Sequence, residues 1–326
     1  MTKKKRAAVL IAATALLCAG CLQQARIYQE AYVGGFCQAF DPHGTPSVGQ
    51  VTIPVFMVEF KDITYWTDRM SAEEIQRVVF DADRQNSMTS FEKNASYGRL
   101  ILEGDVFDYQ TRYPMAYYKN EEHSFEKLAE EVLTAFDPVI DYTKYDANGD
   151  GYLDAFVLSI AGEDDYWYGC QATWWIDTDF TVDGMQLEKY IINDAQPYQG
   201  EEDYFVAELC HEFGHCMGLP DYYKYDVQID YDAMNGVAGA EMMDDMTGDY
   251  SMFSKLALGW LQRKNVNIYT GGKQTYQLHS AQREGDCVIL PLDTGETDEN
   301  GIFTGEYFLI EYNTAEANMA SALGET

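Results

Sequence analysis

The sequence predicts an α+β protein with one chemically loaded helix and a strand-rich end. Three observations predict it. Apolar runs of strand length interleave with helix-period stripes up to about residue 262. From Val266 onward only strand patterns follow, among them "DCVILPL" and "EYFLIEY". Between them, a helix-period segment that stops at Gly218 holds two of the five histidines in 326 residues.

Taken in order, the chain opens with Lys3-Lys4-Lys5-Arg6 and an apolar stretch over 7–17, the pattern of a secretory signal. That stretch is too short to span a bilayer. Ala19-Gly20 directly before Cys21 resembles a bacterial lipoprotein signal, which implies a lipidated Cys21 as first mature residue and membrane anchor; Cys18 departs from the aliphatic residue usual there. Residues 1–20 are thus a signal, and 21–50, with Gly34-Gly35, Pro42, Gly44, Pro46 and Gly49, read as a linker. The main folded part is expected over 51–262, and a β-rich part over 263–326.

Within the main part "VTIPVFMVEF" has the length and apolarity of a strand, and Ser71 with Glu74 makes a capping box for a helix through about Asp83. A helix over 88–97 stops at Gly98, and "RLILEGDVFDYQ" is extended. Phe125, Leu128, Val132, Leu133 and Phe136 recur at helical spacing, with Pro138 beyond, as a core stripe. "LDAFVLSI" and "GMQLEKYII" read as strands, residues 202–217 as a helix, and 251–258 as a short helix before Gly259-Trp260.

Composition excludes several classes. A formal net charge of −32 argues against nucleic acid as a partner, since such binding rests on neutralised phosphates. Calcium can offset part of the self-repulsion. A hydrophobic content of 46% is enough for a core. With Cys21 lipidated, Cys37, Cys170, Cys210, Cys216 and Cys287 remain, an odd set that does not make a dense disulfide framework.

The chemistry concentrates in "AELCHEFGHCMGLPD". On a helix His211 and His215 project from one face, about 40° apart, and can share a metal ion. Zinc held by two imidazoles and one further ligand keeps a position for water, whose pKa it lowers to about 7. Glu212, beside them, is placed to take that proton. Gly218 turns the chain, and Asp221 falls where it can swing back to the same ion. Cys210 and Cys216 flank the histidines on different helix faces and do not fit a thiolate zinc set.

A second pattern lies in "DANGDGYLD". Asp146, Asn148, Asp150 and Asp154 take positions 1, 3, 5 and 9 of a calcium loop, with Gly151 at the turn and the Tyr152 carbonyl at position 7. Position 12 is Val157 and a strand follows, so this is a structural calcium loop rather than an EF-hand. The remaining histidines, His43, His123 and His279, read as surface or cap residues.

The stretch "HEFGHCMGLPDYY" resembles the signature of the M6, or immune-inhibitor-A-like, secreted metallopeptidases. "VFMVEFKD", "SYGRLILEGDVFDY", "YDANGDGYLDAFVL", "EMMDDMTGDYSMFSKLALGW" and "EYFLIEY" are similar to segments of that family in the same order, over about residues 50–312. The resemblance implies a zincin fold related to the metzincins. In it the histidine helix lies under a mixed sheet whose edge strand lines the cleft, and protein or peptide substrates are cut there. It implies His211, His215 and Asp221 as zinc ligands, with Glu241 or Asp244 as substitutes for Asp221, and Glu212 as general base. Met242 or Met243 would be the methionine of the turn beneath the zinc. Two departures stand out: the sequence ends soon after "EYFLIEY", where similar proteins continue, and Tyr250 occupies a position where many have histidine. They motivate an alternative, an inactive surface binding module stabilised by calcium. A third reading makes "HEFGH" a plain core helix without zinc.

Overall fold

The computed structural model describes residues 39, 43–65, 69–119, 124–162, 170–175, 179–194, 197–223, 236–237, 241–246, 248–292 and 303–319. The signal, Cys21, Cys37, His123 and most of the expected linker lie outside the described residues. Among the described residues no helix is long and apolar enough to cross a membrane.

The chain first lays down β1 (Gly49–Glu59), then α1 (Ala72–Phe80), α2 (Met88–Ala95) and β2 (Leu100–Gln110). Ser71 caps α1 through the reciprocal bonds of a capping box with Glu74, as the local sequence predicts. After α3 (Met115–Lys119) and α4 (Ser124–Phe136) come β3 (Val157–Ile160), β4 (Gln171–Trp174) and β5 (Lys189–Asn193). These five strands form one sheet in the order β2-β1-β3-β5-β4. All neighbours are parallel except β4, which runs antiparallel to β5 at the edge. The sheet is therefore mixed, and its inner strands are apolar on both faces because both faces are covered.

Alternate residues of β1 show this directly. Val51, Ile53, Val55 and Met57 face a core shared with α1, α2 and the histidine helix α5 (Glu202–Cys216), while Phe56 and Val58 face a second core with α4. On α5, Phe205, Leu209 and Phe213 recur every four residues and are fully buried against the sheet. Burying each such side chain contributes about 1.5–3 kcal/mol. The short α6 (Met242–Asp245) and α7 (Met252–Ala257) follow, then β6 (Val266–Ile268), β7 (Cys287–Pro291) and β8 (Tyr307–Ile310), a separate sheet of order β6-β7-β8. The protein is thus α+β with mixed sheets.

Two expectations on extent need correction. The folded body starts before residue 51: Gly49 N–H donates to the Arg99 carbonyl, Thr45 N–H to the Cys216 carbonyl, and Val48 is buried, so the last residues assigned to the linker belong to the core. In "GMQLEKYII" only the second half is strand. Val182 and Met185 exchange backbone bonds across Asp183-Gly184, both at positive φ, which makes a two-residue turn.

Candidate metal and catalytic site

The end of α5 builds the site. Gly218 adopts φ +94, where a side chain would be strained, and this closes the helix: Leu219 N–H donates to the Gly214 carbonyl and Gly218 N–H to that of His215. The chain reverses at once. Tyr222 N–H donates to the Met243 carbonyl, so the segment is pinned on the turn at α6 and Asp221 comes to lie over the histidines.

Asp221 Oδ1 is 3.0 Å from His211 Nε2 and 3.2 Å from His215 Nε2. The two rings stand nearly perpendicular, at 87°, with centroids 4.9 Å apart. Each ring's other nitrogen faces a backbone carbonyl: His211 Nδ1 is 2.8 Å from Met242 O, and His215 Nδ1 is 2.7 Å from Leu219 O. A carbonyl only accepts, so both Nδ1 atoms carry hydrogen and, in neutral rings, both Nε2 atoms present lone pairs. Three acceptors then converge on one point, which requires positive charge among them. Burial alone lowers the His211 pKa, but the bonds to Asp221 and to the Met242 carbonyl and the Glu212 charge outweigh it and push it up. A divalent cation satisfies the same three atoms, and a ring N–H on a carbonyl is the usual support of a metal-bound histidine. The donor set N, N, O suits zinc.

Glu212 is 5% exposed, and its Oε2 accepts a hydrogen bond from Ala172 N–H on β4. Burial raises its pKa, against the opposing pull of His215 and His211. The Ala172 bond also fixes a direction. Trp175 N–H points inward to the Glu188 carbonyl, so the alternate residues 172 and 174 point their backbone groups away from β5, and that of Ala172 meets Glu212. The sequence pattern does not reveal strand β4, since four residues carry no readable period. Trp174 is exposed at this edge with Lys189 Nζ 4.2 Å over its ring, whereas Trp175 is core.

The substitutes for Asp221 are occupied elsewhere. Glu241 caps α6, accepting from Met243 N–H and from the backbone and hydroxyl of Ser251, and Asp244 Oδ2 accepts from Val237 N–H. Beneath the helix Met242 supplies its carbonyl to His211, and Met243 packs its sulfur so close to Gly214 that a Cβ there would sit 2.5 Å from it. Tyr250 lies under α5 as well, its hydroxyl 3.0 Å from the Cys210 carbonyl.

In the acidic loop Asp146 accepts from Gly149, Asp150 and Gly151 N–H groups, and Asp154 from Ala147 N–H. No three of its carboxylates come within 4.8 Å of one another, so the structure does not gather them as it gathers the histidine group. Gly151 O and Leu153 N bond to Gln186, which leaves the Tyr152 carbonyl on the loop side. Asp154 is buried, and desolvation together with the charges of Asp146 and Asp150 pushes its pKa up to about 8. His43, expected in the linker, stacks on the Tyr152 ring at 4.2 Å with Nδ1 3.8 Å from Asp150. A cavity of about 650 Å³ lined by Tyr97, Arg99, Lys264 and Arg283, among others, shares no residue with either site.

No family model matches this chain, and no curated relative does. Among solved structures it is similar to wild-type OgpA from Akkermansia muciniphila in two crystal forms. Identity is 12% in both, over 83% of this chain and 82% or 81% of that one, with TM-scores of 0.31 and 0.30. A likeness this weak carries no argument about this chain.

Proposed function

We propose that this chain is a zinc-dependent endopeptidase with a zincin-like catalytic domain of the immune-inhibitor-A type. The observation that carries the reading is the convergence of His211 Nε2, His215 Nε2 and Asp221 Oδ1, with both Nδ1 atoms spent on carbonyls. Zinc bound there supplies Lewis acidity and lowers the pKa of a water to about 7.

The chain's own groups do the rest. Met242 O and Leu219 O orient the imidazoles. Glu212, desolvated and of raised pKa, takes a proton from the attacking water and returns it to the leaving amine. An extended substrate adds to the outward edge of β4, where its backbone passes Glu212. Tyr250 is fully buried below the helix, so it gives the inactive-module reading no support.

We also propose a calcium ion at Asp146, Asn148, Asp150, the Tyr152 carbonyl and Asp154, which offsets the burial and the Asp146 and Asp150 charges that hold Asp154 at a high pKa. Export and a lipid anchor at Cys21 complete the reading, and mass spectrometry of the mature N-terminus checks them.

The deciding experiment is casein cleavage by wild type and Glu212→Gln, with zinc content measured on both. Chelator-sensitive cleavage by wild type, and zinc-loaded E212Q slower by about a hundredfold or more, is expected of a lost general base. Equal rates for the two proteins sink the assignment, and absence of stoichiometric zinc in both sinks the peptidase.

A further inference from the structure

Beside the histidine group stands a second set of donors that the reaction does not use as a set. Glu208 and Glu212 lie one turn apart on α5, 7% and 5% exposed, and Cys170, the residue before β4, reaches them from the sheet edge. One atom from each, the Cys170 sulfur and a carboxylate oxygen of either glutamate, lies within 4.8 Å of the other two. Bonded to one zinc ion, such donors stand about 3.5 Å apart, given metal–ligand lengths of about 2.0–2.3 Å.

We propose that Cys170, Glu208 and Glu212 form a second, inhibitory cation site for a thiophilic divalent ion such as Zn²⁺ or Cd²⁺. The donor set differs from the first in kind, with sulfur and two oxygens in place of two nitrogens and one oxygen, and sulfur selects the softer metals. Two buried carboxylates one helical turn apart are costly unless positive charge joins them. Cys170 is partly exposed. On binding, the sulfur–metal bond replaces the S–H bond and one proton leaves to solvent. The inhibitory consequence rests on the peptidase reading: with its oxygen on the second ion, Glu212 no longer accepts a proton from water. Cation binding itself does not depend on that reading.

The experiment titrates metal-depleted full-length protein with Co²⁺, and separately with Zn²⁺ in a casein assay. Wild type is expected to bind two equivalents of cobalt, the second with a near-ultraviolet thiolate-to-cobalt charge-transfer band. Cys170→Ser and Glu208→Gln should bind one equivalent without that band, and His211→Ala should keep it. In the assay, free zinc at ten times the second site's dissociation constant lowers wild-type activity about tenfold relative to one equivalent, and this ratio collapses in both variants. No charge-transfer band, or a band that survives in Cys170→Ser, overturns the site. Cleavage that excess zinc leaves intact overturns the inhibitory role while the peptidase stands. A band without cleavage at any zinc level keeps the cation site and removes the peptidase.

Discussion

The hydroxyl of Tyr250 lies 3.2 Å from Glu92 Oε1 and 3.0 Å from the Cys210 carbonyl, with both side chains out of contact with water. Burial drives the Glu92 pKa well above the carboxylate range, against the opposing pull of the Tyr250 hydroxyl. The Tyr250 hydroxyl donates toward Glu92 Oε1 and toward the carbonyl of Cys210, the residue before His211. Tyr250→Phe strands both groups and is expected to cost about 1–3 kcal/mol in urea unfolding. Glu92→Gln keeps an acceptor for the Tyr250 hydroxyl and should cost less. Tyr250→Phe as stable as wild type would refute this account of the residue.

The ligand assignment makes a separate prediction. Asp221→Ala removes the atom on which both imidazoles converge and should weaken zinc binding more than about tenfold, a loss that even outlying partners of metal ligands produce. Asp244→Asn should bind zinc as wild type does. Glu241→Ala should keep zinc and lose about 1 kcal/mol, since its oxygens cap α6. Competition with a zinc-chelating dye orders the three, and tighter binding by D221A than by E241A would reverse the assignment.

What the sequence made legible was local. The Ser71–Glu74 box, the stop at Gly218 and the histidine pair at four-residue spacing each depend on neighbours within a turn or two, and each stands where the pattern placed it. What it hid was non-local. Strand β4 exists through its pairing with β5 and its bond to Glu212, 40 residues away, and Thr45 to Gly49 join the core through Cys216 and Arg99. The meeting of Asp221 with the histidines needed both the Gly218 turn and the pinning of Tyr222 on Met243; spacing alone could only place it within reach.

A buried ion pair supports the same region. Lys255 Nζ is 2.6 Å from Asp249 Oδ2, with side chains 0% and 2% exposed, and Asp249 Oδ1 also accepts from Tyr250 N–H. Lys255→Met leaves a buried carboxylate without its cation and should cost about 3–5 kcal/mol. The double variant Lys255→Met, Asp249→Asn should recover part of that loss. A double-mutant cycle by denaturant unfolding checks it, and strict additivity would show the pair to be uncoupled.

Asp154 ties stability to pH and to calcium. Its ordinary pKa of 3.8 rises to about 8 in the fold, first through burial and then through Asp146 and Asp150. Between those values the folded chain holds a proton that the unfolded chain has lost, so this residue's contribution to unfolding free energy falls as pH rises through the window. Below it the contribution is fully favourable, and above it the buried charge is borne in full. Asp154→Asn should flatten this fall, because the amide oxygen still accepts from Ala147 N–H. Calcium bound by the folded loop should act in the opposite sense, adding about 1.4 kcal/mol at ten times its Kd. The gain should be larger at pH 8 than at pH 5, where a protonated Asp154 is a poor ligand. Melting curves at both pH values, with calcium or with chelator, measure it. A calcium effect equal at the two pH values, or retained in full by Asp154→Asn, would remove Asp154 from the loop's ligands.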